Sequence, residues 1–340
     1  MYIHDDIKLD FSDVLIKPQE TNLKSRSEVD LTREFHFPNT DQIWKGIPIV
    51  ASNMDTVGTI DMYNTLKDQN MLTCLNKFIK DYPQNDRNKY IVSIGIRDED
   101  YNKLEELYRL SPEKCNFICV DVANGYMNSL IDFCLRVRRL VPNCILMAGN
   151  VVTGDITKKL ITIGKVDIVK VGIGSGSVCT TRLQTGVGMP QLSSVIECSE
   201  AAHSVGGYII SDGGITCPGD ISKAFGGGAD FVMLGSMLAG HEESGGEVIN
   251  KDNKLYKIFY GMSSEKAMIK HYGEMKDYRS SEGKVVKIDY KGPVINTIKN
   301  ILGGIRSTCT YVDAKKIEDL SRNVVFYRVN NIVNNIYNNN

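Results

Sequence analysis

Asp167-Ile168-Val169-Lys170-Val171-Gly172-Ile173-Gly174-Ser175-Gly176-Ser177-Val178-Cys179-Thr180-Thr181-Arg182 is the stretch on which the fold turns. A short β-branched run passes at once into a glycine-rich polar loop. Strands buried on both faces of a parallel sheet read as continuous apolar runs rather than alternating ones. Seven more such runs lie to either side, at residues 47–52, 71–75, 90–94, 117–122, 144–148, 208–211 and 231–234. Helical patterns fall between them, among them 99–110, 127–140 and 191–204. Thr153-Gly154-Asp155 and Pro218-Gly219-Asp220 mark helix starts. Eight strand–helix units in succession predict an α/β fold of the (β/α)8 TIM-barrel type. A doubly wound sheet is the alternative, since a count of strands does not show closure.

Beyond the last run, residues from Gly240 to about Gly304 are rich in Gly, Ser, Lys and Tyr and carry a strand-like stretch at 257–260. A long insertion between the last strand and the last helix reads as a lid. The whole chain, 1–340, then reads as one catalytic barrel domain. From Asn330 onward seven of eleven residues are Asn, a biased tail expected to be frayed.

Composition narrows the function. Forty Lys plus Arg stand against 41 Asp plus Glu, a net charge of -1 in 340 residues. No bulk basic charge is available to draw nucleic acid or an acidic membrane. The first ten residues hold three Asp and no apolar core of a signal peptide, and no run approaches a membrane span. Nine scattered cysteines without a CxxC pair fit reduced thiols in a cytoplasmic setting better than a disulfide framework or a zinc ribbon.

Polar clusters follow nearly every apolar run. They are Asn53-Met54-Asp55, Lys77, Asp121 with Asn124-Gly125, Gly149-Asn150, the 172–181 loop, Asp212-Gly213-Gly214 and Gly235-Ser236. In a barrel these ends meet on the rim that carries active sites. The 172–182 loop matches neither the dinucleotide fingerprint nor a P-loop. Its glycines let backbone groups turn inward to ligate a monovalent cation or hold a ligand closely. Cys179 sits in that loop with Arg182 nearby, and a neighbouring cation favours a thiolate nucleophile. Cys74, Cys115, Cys119, Cys134, Cys144 and Cys198 read as inert buried thiols. Asp212 at a strand end can take ribose hydroxyls, and the amides of Gly214, Gly235 and Ser236 can receive a phosphate. The five histidines show no ligand spacing and read as surface or supporting residues.

Together these motifs resemble the IMP dehydrogenase/GMP reductase family over nearly the whole chain. The resemblance rests on Asp10-Phe11-Ser12-Asp13-Val14-Leu15, Asn53-Met54-Asp55-Thr56-Val57-Gly58-Thr59, Asp121-Val122-Ala123-Asn124-Gly125-Tyr126, Met147-Ala148-Gly149-Asn150, the Cys179 loop and Ser211-Asp212-Gly213-Gly214. It continues through Phe259-Tyr260-Gly261-Met262-Ser263-Ser264, Tyr278-Arg279-Ser280-Ser281-Glu282-Gly283-Lys284 and Arg306-Ser307-Thr308-Cys309-Thr310-Tyr311. Thr180-Thr181-Arg182, Thr185-Gly186-Val187-Gly188 and the 278–283 segment resemble its reductase branch. A dehydrogenase without the regulatory module, or a nucleotide-binding barrel without catalysis, are the alternatives.

The resemblance implies NADPH-dependent reduction of GMP to IMP and ammonia through a covalent thioimidate on Cys179. Thr181 and Glu282 are then the proton relay, assembled as the lid closes. GMP would meet Asp212, Gly213, Gly214, Gly235, Ser236, Gly261, Met262, Ser263, Arg279, Ser280, Ser281, Glu282 and Gly283. NADPH would meet Ser25, Arg26, Lys77, Asp121, Val122, Ala123, Ile173, Gly174, Met262, Tyr278, Arg279, Ser307, Thr308, Cys309 and Thr310, some of them from a neighbouring subunit of a homotetramer. Gly174, Gly176, Cys179 and Arg182 would offer carbonyls to a potassium ion.

Overall fold

A computed structural model describes the chain apart from residues 1, 85–87, 276, 278–279 and 331–340. The eight apolar runs form eight parallel strands: Ile49–Ala51, Leu72–Leu75, Tyr90–Ile94, Phe117–Asp121, Ile145–Val151, Ile168–Val171, Tyr208–Asp212 and Phe231–Leu234. Each pairs with the next, and the eighth returns to the first, with Val232 opposite Ile49 and Leu234 opposite Ala51. The sheet therefore closes into a barrel. Alternate residues point inward, so Val50, Cys74, Phe117, Met147, Ile168 and Met233 share one buried interior. Their neighbours Val120, Leu146 and Val169 face outward into the larger core under the helices. Helices Asp98–Leu110, Asn128–Leu140 and Gln191–His203 lie within a residue of the patterns read for them.

An N-terminal hairpin, Arg33–His36 paired with Ile43–Gly46, closes the barrel at the strands' amino ends. Phe35, Phe37 and Trp44 are buried with the barrel interior, and Phe35 stacks on Phe231 at 4.2 Å between centroids. The bottom of the barrel is thus an aromatic plug.

The insertion after the eighth strand is a three-stranded antiparallel sheet of Val248–Lys251, Lys254–Tyr260 and Val285–Asp289, with one helix, Glu265–Tyr272. The stretch read at 257–260 is the second half of its middle strand. The insertion ends earlier than the expected Gly304, because the last barrel helix begins at Val294 and runs to Tyr311. Gly304, given as the approximate end of the insertion, stands inside that helix. A Cβ on Gly304 would come within 2.8 Å of Pro218, so the glycine lets two helices pack closely. Among the described residues no helix is long and apolar enough to cross a membrane.

Candidate active site

The glycine-rich loop after the sixth strand is pinned to the lid. Cys179 and Gly283 form an isolated antiparallel bridge. Thr180 N donates to Glu282 O at 2.8 Å, and Lys284 N donates to Val178 O at 2.9 Å. The approach needs glycine on the lid: a Cβ on Gly261 would stand 3.0 Å from Val178 O of the loop, and one on Gly283 would stand 3.0 Å from Gly261 Cα. The docked segment brings three side chains into line. The Cys179 thiol donates to Thr181 Oγ1 at 3.2 Å, and the Thr181 hydroxyl donates to Glu282 Oε2 at 2.7 Å. The three side chains expected to come together on closure are therefore already hydrogen-bonded in line. Cys179 is half-buried, whereas the six cysteines read as inert are all buried. Burial pushes the thiols of Cys115, Cys144 and Cys198 up to about 12.

One expectation for this loop fails. Arg182 does not serve the thiol as a neighbouring cation. Its guanidinium pairs with Asp10 at 3.0 Å and donates to Met189 O at 2.7 Å. Its stem fills the space that glycine leaves at Gly174 and Gly188, where a Cβ would fall 2.7 and 2.8 Å from Arg182 Cγ. The residue braces the loop. The loop carbonyls form a neutral, hard-oxygen donor set; Gly176 O accepts from Cys179 N and Arg182 O from Gly186 N, leaving each a second lone pair.

Above the apolar interior lies a polar layer. Asp121, at the end of the fourth strand, receives Lys170 Nζ at 2.6 Å and Asn53 Nδ2 at 2.9 Å. Asn53 Nδ2 also reaches Ser93 Oγ at 2.9 Å. Asp212 receives Asn150 Nδ2 at 2.8 Å and lies 3.4 Å from Lys170 Nζ. Burial works to raise the Asp121 pKa, but Lys170 and Asn53 outweigh it and hold the carboxyl below its ordinary range. Lys170 was not among the residues singled out in the sequence. Its signal was parity: it follows the inward-facing Ile168 by two positions, so it points into the barrel from an otherwise apolar strand.

Gly213 and Gly214 adopt φ of +98° and +77°. The Gly214 amide does not remain available for a phosphate as expected, because it donates to Ser175 O at 2.9 Å. Gly213 has no room for a side chain, since a Cβ would meet Ser175 Oγ at 2.4 Å. The amides of Gly213, Gly235 and Ser236 have no backbone acceptor among the described residues.

A cavity of about 240 Å³ opens beside this layer, lined by Asn53, Lys77, Phe78, Ser93, Arg97, Asp121, Ala123, Met262, Ser263, His271 and Tyr272. Lys77 and Arg97 flank the Tyr272 ring at 5.6 and 5.3 Å. Neither forms an ion pair among the described residues. Arg97 and Tyr272 were also missed, being ordinary surface types until the fold sets them at a cavity mouth. The lid is held here by Asp55, whose Oδ2 accepts from Tyr260 OH at 2.7 Å and Lys270 Nζ at 2.8 Å and meets His271 Nε2 at 2.6 Å. His271 in turn stacks on Phe78 at 3.5 Å.

Of the other expected contacts, Val122 N donates to Gly149 O on the rim, and Ile173 and Gly174 begin the catalytic loop. Ser263 O accepts from Glu282 N. Ser280 Oγ donates to Gln184 Oε1 on the short helix after Cys179 and so ties the lid to that loop, whereas Ser281 Oγ donates to Gly283 O within the lid. Tyr278 and Arg279 lie outside the described residues. Ser25 and Arg26 sit on a short turn that packs on the last helix, where Ser307, Thr308 and Thr310 also lie. That helix starts near the rim, with Val294 N on Glu243, and at ~1.5 Å per residue its final turns lie about 20 Å away. The second patch therefore stands apart from the Asp121 cavity of its own chain. The Cys309 thiol does not face a cofactor as expected: it is 0% exposed and burial pushes it to about 12.

A closed barrel with a half-buried cysteine on the sixth loop, linked through Thr181 to a lid carboxylate, is the arrangement of a barrel enzyme with its chemistry at the strands' carboxyl ends. The model of the IMP dehydrogenase / GMP reductase domain matches residues 8–334, and the chain belongs to that family. Among curated relatives, GMP reductase from Photobacterium profundum is 52% identical over 346 residues, with 99% of each chain covered. GMP reductase from Shigella boydii serotype 18 is 51% identical over the full length of both. A solved structure of a Cys-to-Ala variant of Trypanosoma brucei GMP reductase in complex with guanosine 5'-monophosphate superposes with a TM-score of 0.85. It is 25% identical and covers 95% of this chain and 96% of its own. Within the family the similarity thus runs to the reductases.

Proposed function

We propose that this site carries out the NADPH-dependent reductive deamination of GMP to IMP and ammonia, with Cys179 as the nucleophile. The observation that carries the reading is the continuous chain from Cys179 through Thr181 to Glu282, at 3.2 and 2.7 Å. Asp212 presents its free oxygen to the ribose, and the amides of Gly213, Gly235 and Ser236 take the phosphate. The Cys179 thiol gives its proton through Thr181 to Glu282, and the resulting thiolate adds to C2 of the guanine ring. Thr181 passes a proton from Glu282 toward the exocyclic nitrogen, ammonia leaves, and C2 stays bonded to sulfur as a thioimidate. NADPH, when bound, would supply hydride to C2; breaking of the carbon–sulfur bond would then regenerate Cys179.

Lys77 and Arg97 fit a dinucleotide, since two cations at one cavity mouth, neither in an ion pair among the described residues, match its phosphates. The carbonyls of Gly174, Gly176, Cys179 and Arg182 fit a potassium ion, whose hydration shell neutral carbonyls replace well. We further take the chain to act in the cytoplasm as a homotetramer, with Ser25, Arg26 and the 307–310 patch serving a neighbouring copy's cofactor. The test is spectrophotometric: NADPH is consumed with GMP. NADH formation from IMP and NAD in place of that reaction would make the chain a dehydrogenase, and silence in both assays would leave a binding barrel.

A further inference from the structure

We propose that Lys170 is a positioning residue that binds the nucleotide-side carboxylate, Asp212, and the cofactor-side carboxylate, Asp121, into one charge unit, so that both ligands depend on a single ammonium. This rests on the functional reading above.

Lys170 is 2% exposed. It is the one cation within ion-pair distance of either carboxylate among the described residues, at 2.6 Å from Asp121 and 3.4 Å from Asp212. The two acids are otherwise held separately: of the pair, Asn53 touches only Asp121, and Asn150 touches only Asp212. Strand register explains how one side chain spans both. Asp121 lies opposite Gly149, and Gly149 lies opposite Lys170. A Cβ at Gly149 would stand 2.5 Å from Lys170 Cβ. The glycine thus opens the gap across which the ammonium reaches a strand two places away. Without Lys170, both carboxylates would lose the one ammonium within ion-pair distance of either among the described residues, and each would turn or take up a proton.

The test compares Lys170→Met, Lys170→Arg, Asn53→Ala and Asn150→Ala by separate KM values for GMP and NADPH, with thermal melting alongside. Lys170→Met raises both KM values tenfold or more, and Lys170→Arg, which keeps the charge, restores both to within a few fold. Asn150→Ala raises KM for GMP alone, and Asn53→Ala for NADPH alone. A folded Lys170→Met enzyme that loses only one ligand, or neither, overturns the proposal.

A second measurement does not depend on Lys170→Met folding. Asp121→Asn frees the ammonium to move toward Asp212 and draws acceptor strength from the ribose site. It therefore weakens GMP binding to the cofactor-free protein at least threefold by calorimetry, although Asp121 does not touch GMP. Unchanged GMP affinity in Asp121→Asn overturns the proposal. Asp212→Asn separates the two levels of the argument: if it leaves GMP affinity intact, the ribose assignment itself fails.

Discussion

Thr181 is the narrowest point of the proton path, because its one hydroxyl must both receive from the Cys179 thiol and donate to Glu282. Replacing it with Val keeps the volume and removes the hydroxyl; turnover falls by about 100-fold or more, the range of lost general acid–base catalysis, while GMP affinity holds. Cys179→Ala abolishes NADPH oxidation yet still binds GMP by calorimetry; appreciable turnover would sink the covalent route. Glu282→Gln slows GMP deamination far more than formation of a trapped adduct from IMP with NADP, and equal losses in both would refute that division. Cys179 stood out in the sequence as a cysteine in a glycine-rich loop, whereas Thr181 and Glu282 were reached only through the resemblance, because a lone threonine and a lid glutamate carry no signal until they are seen in line. Lys170 was not legible. A single lysine inside Ile168-Val169-Lys170-Val171 reads as strand until the neighbours across the barrel are known. Nor could the sequence show that Arg182 spends its charge on Asp10, a partner 172 positions away.

Among the elements, the lid depends on one buried carboxylate. Burial tends to raise the pKa of Asp55, but Lys270, Tyr260 and His271 outweigh that and hold it below its ordinary range. A depressed carboxyl stabilises the docked lid above its unfolded value of ~3.9. That contribution disappears as pH falls through the folded value. Limited proteolysis of residues 248–290 should therefore be slow at pH 7 and accelerate sharply below about pH 4. Asp55→Asn should weaken docking by about 2 kcal/mol, remove the acid step, and make the lid cleavable at neutral pH. An unchanged acid profile in Asp55→Asn would assign the step to another group. The eight strands were legible because each is buried on both faces and reads as an unbroken apolar run. The lid's architecture was not, since Val285–Asp289 alternates between exposed and half-buried residues and finds its partner only at Lys254–Tyr260. The plug hairpin went unread for a related reason: its aromatics bury against strands that lie far along the chain.

At the scale of the whole molecule, the residues proposed for the cofactor fall, among the described ones, into two patches that one chain does not bring together. Arg97 lines its own chain's cavity, whereas the turn that carries Arg26 packs on the last barrel helix. A charge-assisted phosphate contact is worth roughly 1.5–3 kcal/mol, so Arg97→Ala and Arg26→Ala should each lower kcat/KM for NADPH about tenfold or more. Loss with NADPH but not NADH marks the 2′-phosphate; equal loss marks the pyrophosphate or a role in positioning. Mixing Arg26→Ala with Cys179→Ala protein should restore part of the NADPH rate, because each species supplies what the other lacks. No recovery would place Arg26 outside a neighbour's site. The aromatic stopper of Phe35, Phe37 and Trp44 has a bearing on traffic. With the floor sealed, ammonia has no back door. On the proposed reading the smallest product would leave from the same rim as both nucleotides, the rim to which the lid is bridged at Cys179 and Gly283. Escape of ammonia is then timed by the lid, and while the lid stays down the leaving group is kept beside the carbon it came from, ready for the reverse reaction.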